Sequence, residues 1–285
     1  MARSAKCLRD NRAMNPSETL SKRVQSADWI EGAAKAFAVL ESFSAERQRL
    51  NITQIAQRAG LTRAAARRHV LTLQALGYLE GEPDVRTPSF WLTHRVLRLA
   101  GNYLSSARLP RVTQPVLNRL AAQTSLALSV AVLDGQDVVI VARSGEHRVS
   151  GSALPYGVHL GARLAAFATS TGRVLLSNLS AADLKQWLNH CDTPRLTPHT
   201  ITDSRRLKAL ISAALTQGCC EASEEHELGV CALAVPLYDG QRRVVAALNI
   251  VETAGVNQQA WPSKSMQLRY LPLMQAAAAE LRLLL

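Results

Sequence analysis

Aromatic side chains are scarce, with Phe, Trp and Tyr making up 5% of the 285 residues. No apolar run approaches the ~20 residues that a membrane span needs. The longest, such as Leu126–Leu133 and Val138–Ala142, are strand-sized, so no membrane partner is expected. The first residues carry charge without an apolar stretch, so no secretory leader is expected either. Cysteine is sparse and odd in number: Cys7, Cys191, Cys219, Cys220 and Cys231. Two are adjacent and none form a Cys-x-x-Cys pair, which argues against a disulfide framework and a structural zinc site and favours a reduced, cytoplasmic chain. There is no Gly-x-Ser-x-Gly elbow, no His-Glu-x-x-His and no glycine-rich phosphate loop, so no catalytic residue, metal or cofactor is expected. Acidic residues are outnumbered, 22 against 33 Lys and Arg, for a net charge of +11. An excess of that size suits a polyanionic partner such as nucleic acid.

What is present is an alanine- and leucine-rich chain whose pattern changes along its length. Residues 1–27 hold six Lys and Arg (Arg3, Lys6, Arg9, Arg12, Lys22, Arg23) against Asp10 and Glu18, and read as a flexible basic tail of net +4. Residues 28–92 have the order helix, helix, turn, helix, two-stranded wing. Ile30, Ala33, Ala34, Phe37, Val39 and Leu40 stripe a helix within Trp29–Phe43. A second helix starts after Asn51, and Gly60 stops it. Thr62 is placed to cap a third helix running to about Leu76, and the wing strands are Tyr78–Glu80 and Ser89–Leu92. Residues 93–123 read as a helical linker and possible dimer seam. From 124 to 285 the pattern is α+β: a hairpin at Leu126–Leu133 and Val138–Ala142, helices near 163–178, 181–190 and 203–217, strands Val230–Tyr238 and Val244–Val251, and a last helix from about Pro262. The acidic run Glu224-Glu225-His226-Glu227 reads as a solvated turn before a strand.

The helix-turn-helix carries the strongest chemistry. Ile55, Ala56, Leu61, Val70 and Leu73 can pack its two helices. Arg63 and Arg67, four apart, share a face of the third helix. The small residues Ala64–Ala66 keep that helix slim enough for a major groove about 12 Å wide. Base or phosphate contacts are expected from Arg63 and Arg67, with Ala64 on the same N-terminal half. Thr62 and Arg68 are expected at phosphates, and Arg86 at the wing tip can reach an adjacent groove.

The run Gly60-Leu61-Thr62-Arg63-Ala64-Ala65-Ala66-Arg67-Arg68, continued by Leu71-Thr72-Leu73 and Leu76-Gly77-Tyr78, resembles the winged helix of the IclR family of bacterial regulators. The resemblance is greatest to the branch that controls aromatic-acid catabolism by the protocatechuate and β-ketoadipate route. Ile30–Glu41 and the long stretch Leu160–Leu176 extend it, as do Glu227-Leu228-Gly229, Ala234-Val235-Pro236 and Val244–Ile250, so that it covers roughly 26–285. It implies an N-terminal winged helix-turn-helix joined by a helical linker to a GAF-like α/β domain that binds an effector. Ser170 and Thr171 would then open a helix onto the ligand through backbone N–H groups. Ala232 and Asn249 match further contact positions in the family. Ala232 offers no hydroxyl or thiol, and Ala222 and Val251 likewise depart from more polar relatives. Arg143, His147 and Arg148 cluster after the hairpin, where a guanidinium could grip a carboxylate by paired hydrogen bonds. Arg163 is equally suited to a structural ion pair.

The function expected is thus a DNA-binding regulator, acting as a homodimer or homotetramer on operator DNA. Its effector is a small organic acid such as protocatechuate, 4-hydroxybenzoate or β-ketoadipate, and activation is the expected sign. A ligand-independent architectural nucleic-acid protein is the alternative, with an enzyme on the α/β domain a distant third.

Overall fold

A computed structural model describes residues 28–44, 47–82, 86–144, 159–254 and 265–285. The basic tail, His147 and Arg148 lie outside the described residues. The chain divides into one compact unit that ends at Ser106 and another that runs from Ala107 to Leu285.

In the first unit, helices α1 (Glu31–Leu40), α2 (Ile52–Arg58) and α3 (Arg63–Ala75) pack around Val39, Ile55, Ala66, Val70 and Leu73. Asn51 caps α2 with a reciprocal pair of bonds to Gln54, which satisfies two orphan N–H groups at once. Gly60 follows at φ +67°, the left-handed geometry that a tight turn between two helices requires. Thr62 accepts from the Ala65 N–H at 3.2 Å and so caps α3. The wing strands β2 (Leu79–Gly81) and β3 (Ser89–Leu92) pair antiparallel, and a two-residue strand β1 (Leu50–Asn51), not foreseen, pairs on the other side of β3. A short 3-10 turn, His94–Val96, leads into α4 (Leu97–Ser106).

The second unit is built on a six-stranded antiparallel sheet with β4 (Ala127–Asp134), β5 (Asp137–Arg143), β6 (Arg163–Ala165), β7 (Cys220–Ser223), β8 (Val230–Tyr238) and β9 (Val244–Thr253) in the order β6-β5-β4-β9-β8-β7. Period-two alternation gives the sheet two different faces. Cys231, Leu233, Val235 and Leu237 of β8 and Leu248 and Ile250 of β9 join the helices α5 (Arg108–Thr124) and α9 (Met266–Arg282) in one core. The opposite face offers small residues, Ala131, Ala234 and Ala247. That lets α6 (Ser170–Ser177) lie close to the sheet with all eight of its residues buried. Helices α7 (Ala181–His190) and α8 (Ser204–Gln217) complete that side, with Leu207 and Ile211 in its core.

Three expectations change. The stretch 93–123 divides between the units, α4 going with the first and α5 packing Val116, Leu117 and Leu120 into the core of the second. The helix expected near 163–178 begins only at Ser170. Arg163–Ala165 instead forms the edge strand β6, pairing with Asp137–Val139, and a 3-10 turn, Ala166–Ala168, intervenes. Thr169 then caps α6 by accepting from the Gly172 N–H at 3.2 Å. Strand β7 was also not foreseen.

Candidate functional site

The first candidate surface is on the winged unit. Thr62, Arg63, Ala64, Arg67 and Arg68 are exposed on the N-terminal half of α3, whereas Ala66 is fully buried beneath them. None of the three arginines is in an ion pair among the described residues. Arg63, Arg67 and Arg86 line one depression together with Thr53, Leu71 and Phe90, so the wing brings its arginine to the same side as the helix. The wing is braced by Arg49, which lies 4.4 Å over the Trp91 ring and bonds Glu82 at 3.1 Å, while the Trp91 indole N–H donates to Glu80. A slim helix face with unpaired cations beside a braced basic wing suits a phosphate-lined groove.

The second is a cavity at the N-terminus of α6, with about 590 Å³ of empty space that includes some open to solvent. Four of the six expected effector residues line it: Ser170, Thr171, Ala232 and Asn249. Ala222 and Val251 do so as well. The sheet register explains the grouping. Asn249 pairs with Ser129, Val251 with Ala232, and Ala232 with Ala222, which makes a floor polar at one end and apolar at the other. The Ser170 hydroxyl donates to Asn249 Oδ1 at 3.1 Å, leaving the Asn249 amide N–H groups for a ligand. The N–H groups of Ser170 and Thr171 lie in the first turn of α6, where no intrahelical acceptor exists, and the helix dipole there favours an anion. Arg143 does not line the cavity. It ends β5, and its carbonyl accepts from Gln114. Arg163 is held by Asp134 and Asp137 at 2.5 and 3.1 Å, an ion pair across the hairpin.

The acidic run is not a solvated turn. Glu225 is 8% exposed and meets Arg173, itself 1% exposed, in a two-pronged pair at 2.7 and 2.5 Å. Arg173 also donates to the Phe167 carbonyl, and the hydroxyls of Thr197 and Thr200 donate to the carbonyls of Glu224 and Glu225. A buried charge must be paired, and this pair ties the loop after β7 onto α6. As a result Glu225, His226 and Glu227 line the same cavity as Asn249. Burial pulls the His226 pKa down, against a weaker upward pull from Asp137, and pushes the Glu227 pKa up. The four described cysteines are free, and burial raises the Cys191 thiol to about 12 and that of Cys220 to about 11, so neither offers a thiolate. Among the described residues no cluster could hold a metal ion and no helix is long and apolar enough to cross a membrane.

Residues 32–83 match the IclR helix-turn-helix domain and residues 101–280 the family described as bacterial transcriptional regulator IclR C-terminal. The chain belongs to the IclR family. IclR members are DNA-binding transcriptional regulators rather than enzymes, and this chain is one of them. Among curated relatives, the Pca operon regulatory protein of Acinetobacter baylyi is 46% identical over 93% of both chains. The p-hydroxybenzoate hydroxylase transcriptional activator of the same organism is also 46% identical, over 92% of this chain and 94% of its own. Among solved structures, a double mutant of the PobR inducer-binding domain from Acinetobacter, in complex with 3-hydroxybenzoic acid, is 43% identical with a TM-score of 0.55, covering 61% of this chain and 97% of its own. An IclR homolog from Microbacterium hydrocarbonoxydans complexed with 4-hydroxybenzoate is 25% identical with a TM-score of 0.68, covering 89% and 98%.

In this IclR chain, the lining residues that sequence reasoning missed include Ser129, Ile140, Leu164 and the Glu225–Glu227 segment. One signal pointed to the last. Arg173 stands beside Val174, Leu175 and Leu176 as the one charged residue of a buried helix, and such a cation demands a carboxylate elsewhere in the chain.

Proposed function

We propose that the chain regulates genes of aromatic-acid catabolism, and activates them when an aromatic carboxylate occupies the cavity at the head of α6. The observation that carries the proposal is the pairing of oriented donors, from Ser170, Thr171 and Asn249, with an apolar floor in one cavity. The names of the 46%-identical relatives and the hydroxybenzoates in the related structures support that choice of ligand class. Thr62, Arg63, Ala64, Arg67, Arg68 and Arg86 hold operator DNA. The assembly is an even-numbered homo-oligomer in the cytoplasm, a state favoured by the two-fold symmetry common to operators and their proteins. Helix α4 supports this too, since it leaves Leu97, Leu99 and Tyr103 exposed. The ligand moves the DNA-binding equilibrium only by its differential affinity for two arrangements, about 1–3 kcal/mol of coupling.

The test is calorimetric titration of the full chain with 4-hydroxybenzoate and protocatechuate, beside the double variant Ser170→Leu/Thr171→Leu. Saturable binding by the wild type and none by the variant, with operator affinity retained in both, is the expected result. Undiminished binding by the double variant would remove the head of α6 from the site.

A further inference from the structure

The cavity at the head of α6 has a second polar end that the carboxylate of an aromatic acid does not use. Several polar groups in the cavity are already satisfied. Thr169 caps α6, Ser170 bonds Asn249, and Glu225 is held by Arg173. Hydrogen-bonding capacity remains at two places. One is the head of α6 with the Asn249 amide and the neighbouring Ser129 hydroxyl. The other is the loop after β7, where the side chains of His226 and Glu227 face the cavity and form no hydrogen bond among the described residues. Ile140, Leu164, Ala232 and Val251 line the same cavity and can only make apolar contact.

The register sets the two groups on different strands. Asn249 pairs with Ala234 on β8, and Ala234 pairs with Cys220 on β7, the strand that leads into the loop carrying His226. The loop is also fixed: Glu224 stands at φ +55°, its carboxylate accepts from the Gly229 N–H at 2.9 Å, and Thr197, Thr200 and Arg173 hold its backbone and Glu225. A polar group on a braced loop is held in place before the ligand arrives.

Resting on the reading of this cavity as the aromatic-acid pocket, we propose that His226, with Glu227 beside it, reads a hydroxyl on the ring of the bound acid, so that the pocket selects hydroxylated benzoates over benzoate. Burial pulls the imidazole pKa down and so favours the neutral form, which presents one nitrogen as an acceptor and the other as a donor. A phenol O–H donates to that acceptor. Benzoate lacks the hydroxyl and leaves the imidazole unpaired in a partly desolvated site, the arrangement that discriminates most sharply between such analogues. His226 acts here as a specificity residue for the ligand and has no part in holding the carboxylate.

The experiment is titration of the full chain, as wild type, His226→Phe and His226→Gln, with benzoate and with 4-hydroxybenzoate. The wild type is expected to bind 4-hydroxybenzoate about tenfold more tightly than benzoate. His226→Phe should bring the two acids together by weakening 4-hydroxybenzoate, with benzoate held within about threefold of its wild-type affinity. His226→Gln, which keeps hydrogen-bonding capacity and covers the case of a Phe variant that fails to fold, should show an intermediate preference. Equal affinity of the wild type for both acids would overturn the role given to His226 and leave the pocket itself standing. So would a preference that survives in both variants, or an equal loss of both acids. Failure of the wild type to bind either acid would overturn the reading of the cavity as the acid pocket.

Discussion

Arg67 and Gly172 show how differently single residues matter here. Arg67 is exposed, unpaired and one turn from Arg63 on the face of α3. Replacing it with Ala should leave the fold intact and weaken specific operator binding by roughly 1–3 kcal/mol, read as anisotropy at one fixed salt concentration; unchanged affinity would take Arg67 out of the interface. Gly172 has no such freedom. A Cβ at that position would lie 2.1 Å from the Ala166 carbonyl oxygen and 2.4 Å from its Cα, both backbone atoms that cannot swing aside. Gly172→Ala should therefore destabilise the second unit by about 3 kcal/mol, at the upper end of overpacking costs, seen in denaturant melts. His226 adds a pH dependence. Its folded pKa lies below the ordinary value, so the unfolded chain takes up the proton first. Stability is then full above about pH 6.5 and declines as pH falls below it towards the folded value. Thermal melts from pH 7.5 to 5.5 should fall more steeply for the wild type than for His226→Gln, and parallel curves would contradict the burial argument.

Helix α6 is the element on which the second unit turns. Its first turn faces the cavity, its alanine-lined bed on the sheet lets it sit deep, and its one cation holds the loop opposite. Removing half of the Arg173–Glu225 pair leaves a buried charge without its partner. Arg173→Met or Glu225→Gln should each cost about 3–5 kcal/mol, whereas Arg173→Met/Glu225→Leu together should cost much less than the sum. A chemical-denaturation double-mutant cycle measures this, and simple additivity would show that the pair is not a unit. The elements also differ in how plainly the sequence announced them. Helices α2 and α3 were legible because Asn51, Gly60 and Thr62 punctuate an apolar stripe with residues whose local chemistry is specific. The strands β8 and β9 were legible as long apolar runs joined at Asp239-Gly240. The late start of α6 was hidden, because Arg163–Ala168 holds three alanines and a leucine, all strong helix formers, and only the edge pairing with β5 makes Arg163–Ala165 extended. In the pocket, Ser170, Thr171, Ala232 and Asn249 came from the family resemblance, while the Glu225–Glu227 loop was misread because three acids in four residues look solvated. Its burial depends on Arg173, 52 positions earlier, a pairing that no local pattern displays.

At the scale of the whole molecule, the net charge of +11 supplies non-specific attraction to DNA, and the proposed ligand pocket lies in a different compact unit from the basic α3 face. A regulator so divided responds to its effector only if occupancy of one unit alters the DNA affinity of the other. The most direct measurement is fluorescence anisotropy of the full chain on the intergenic DNA upstream of its own gene, at one stated salt concentration, alone and with saturating 4-hydroxybenzoate or protocatechuate. Salt is held fixed because counterion release makes affinities at different ionic strengths incomparable. The account requires tighter binding than to scrambled DNA of the same length, and a shift of roughly 5- to 150-fold on addition of one acid. Equal binding to both DNAs with no effect of either acid would contradict it.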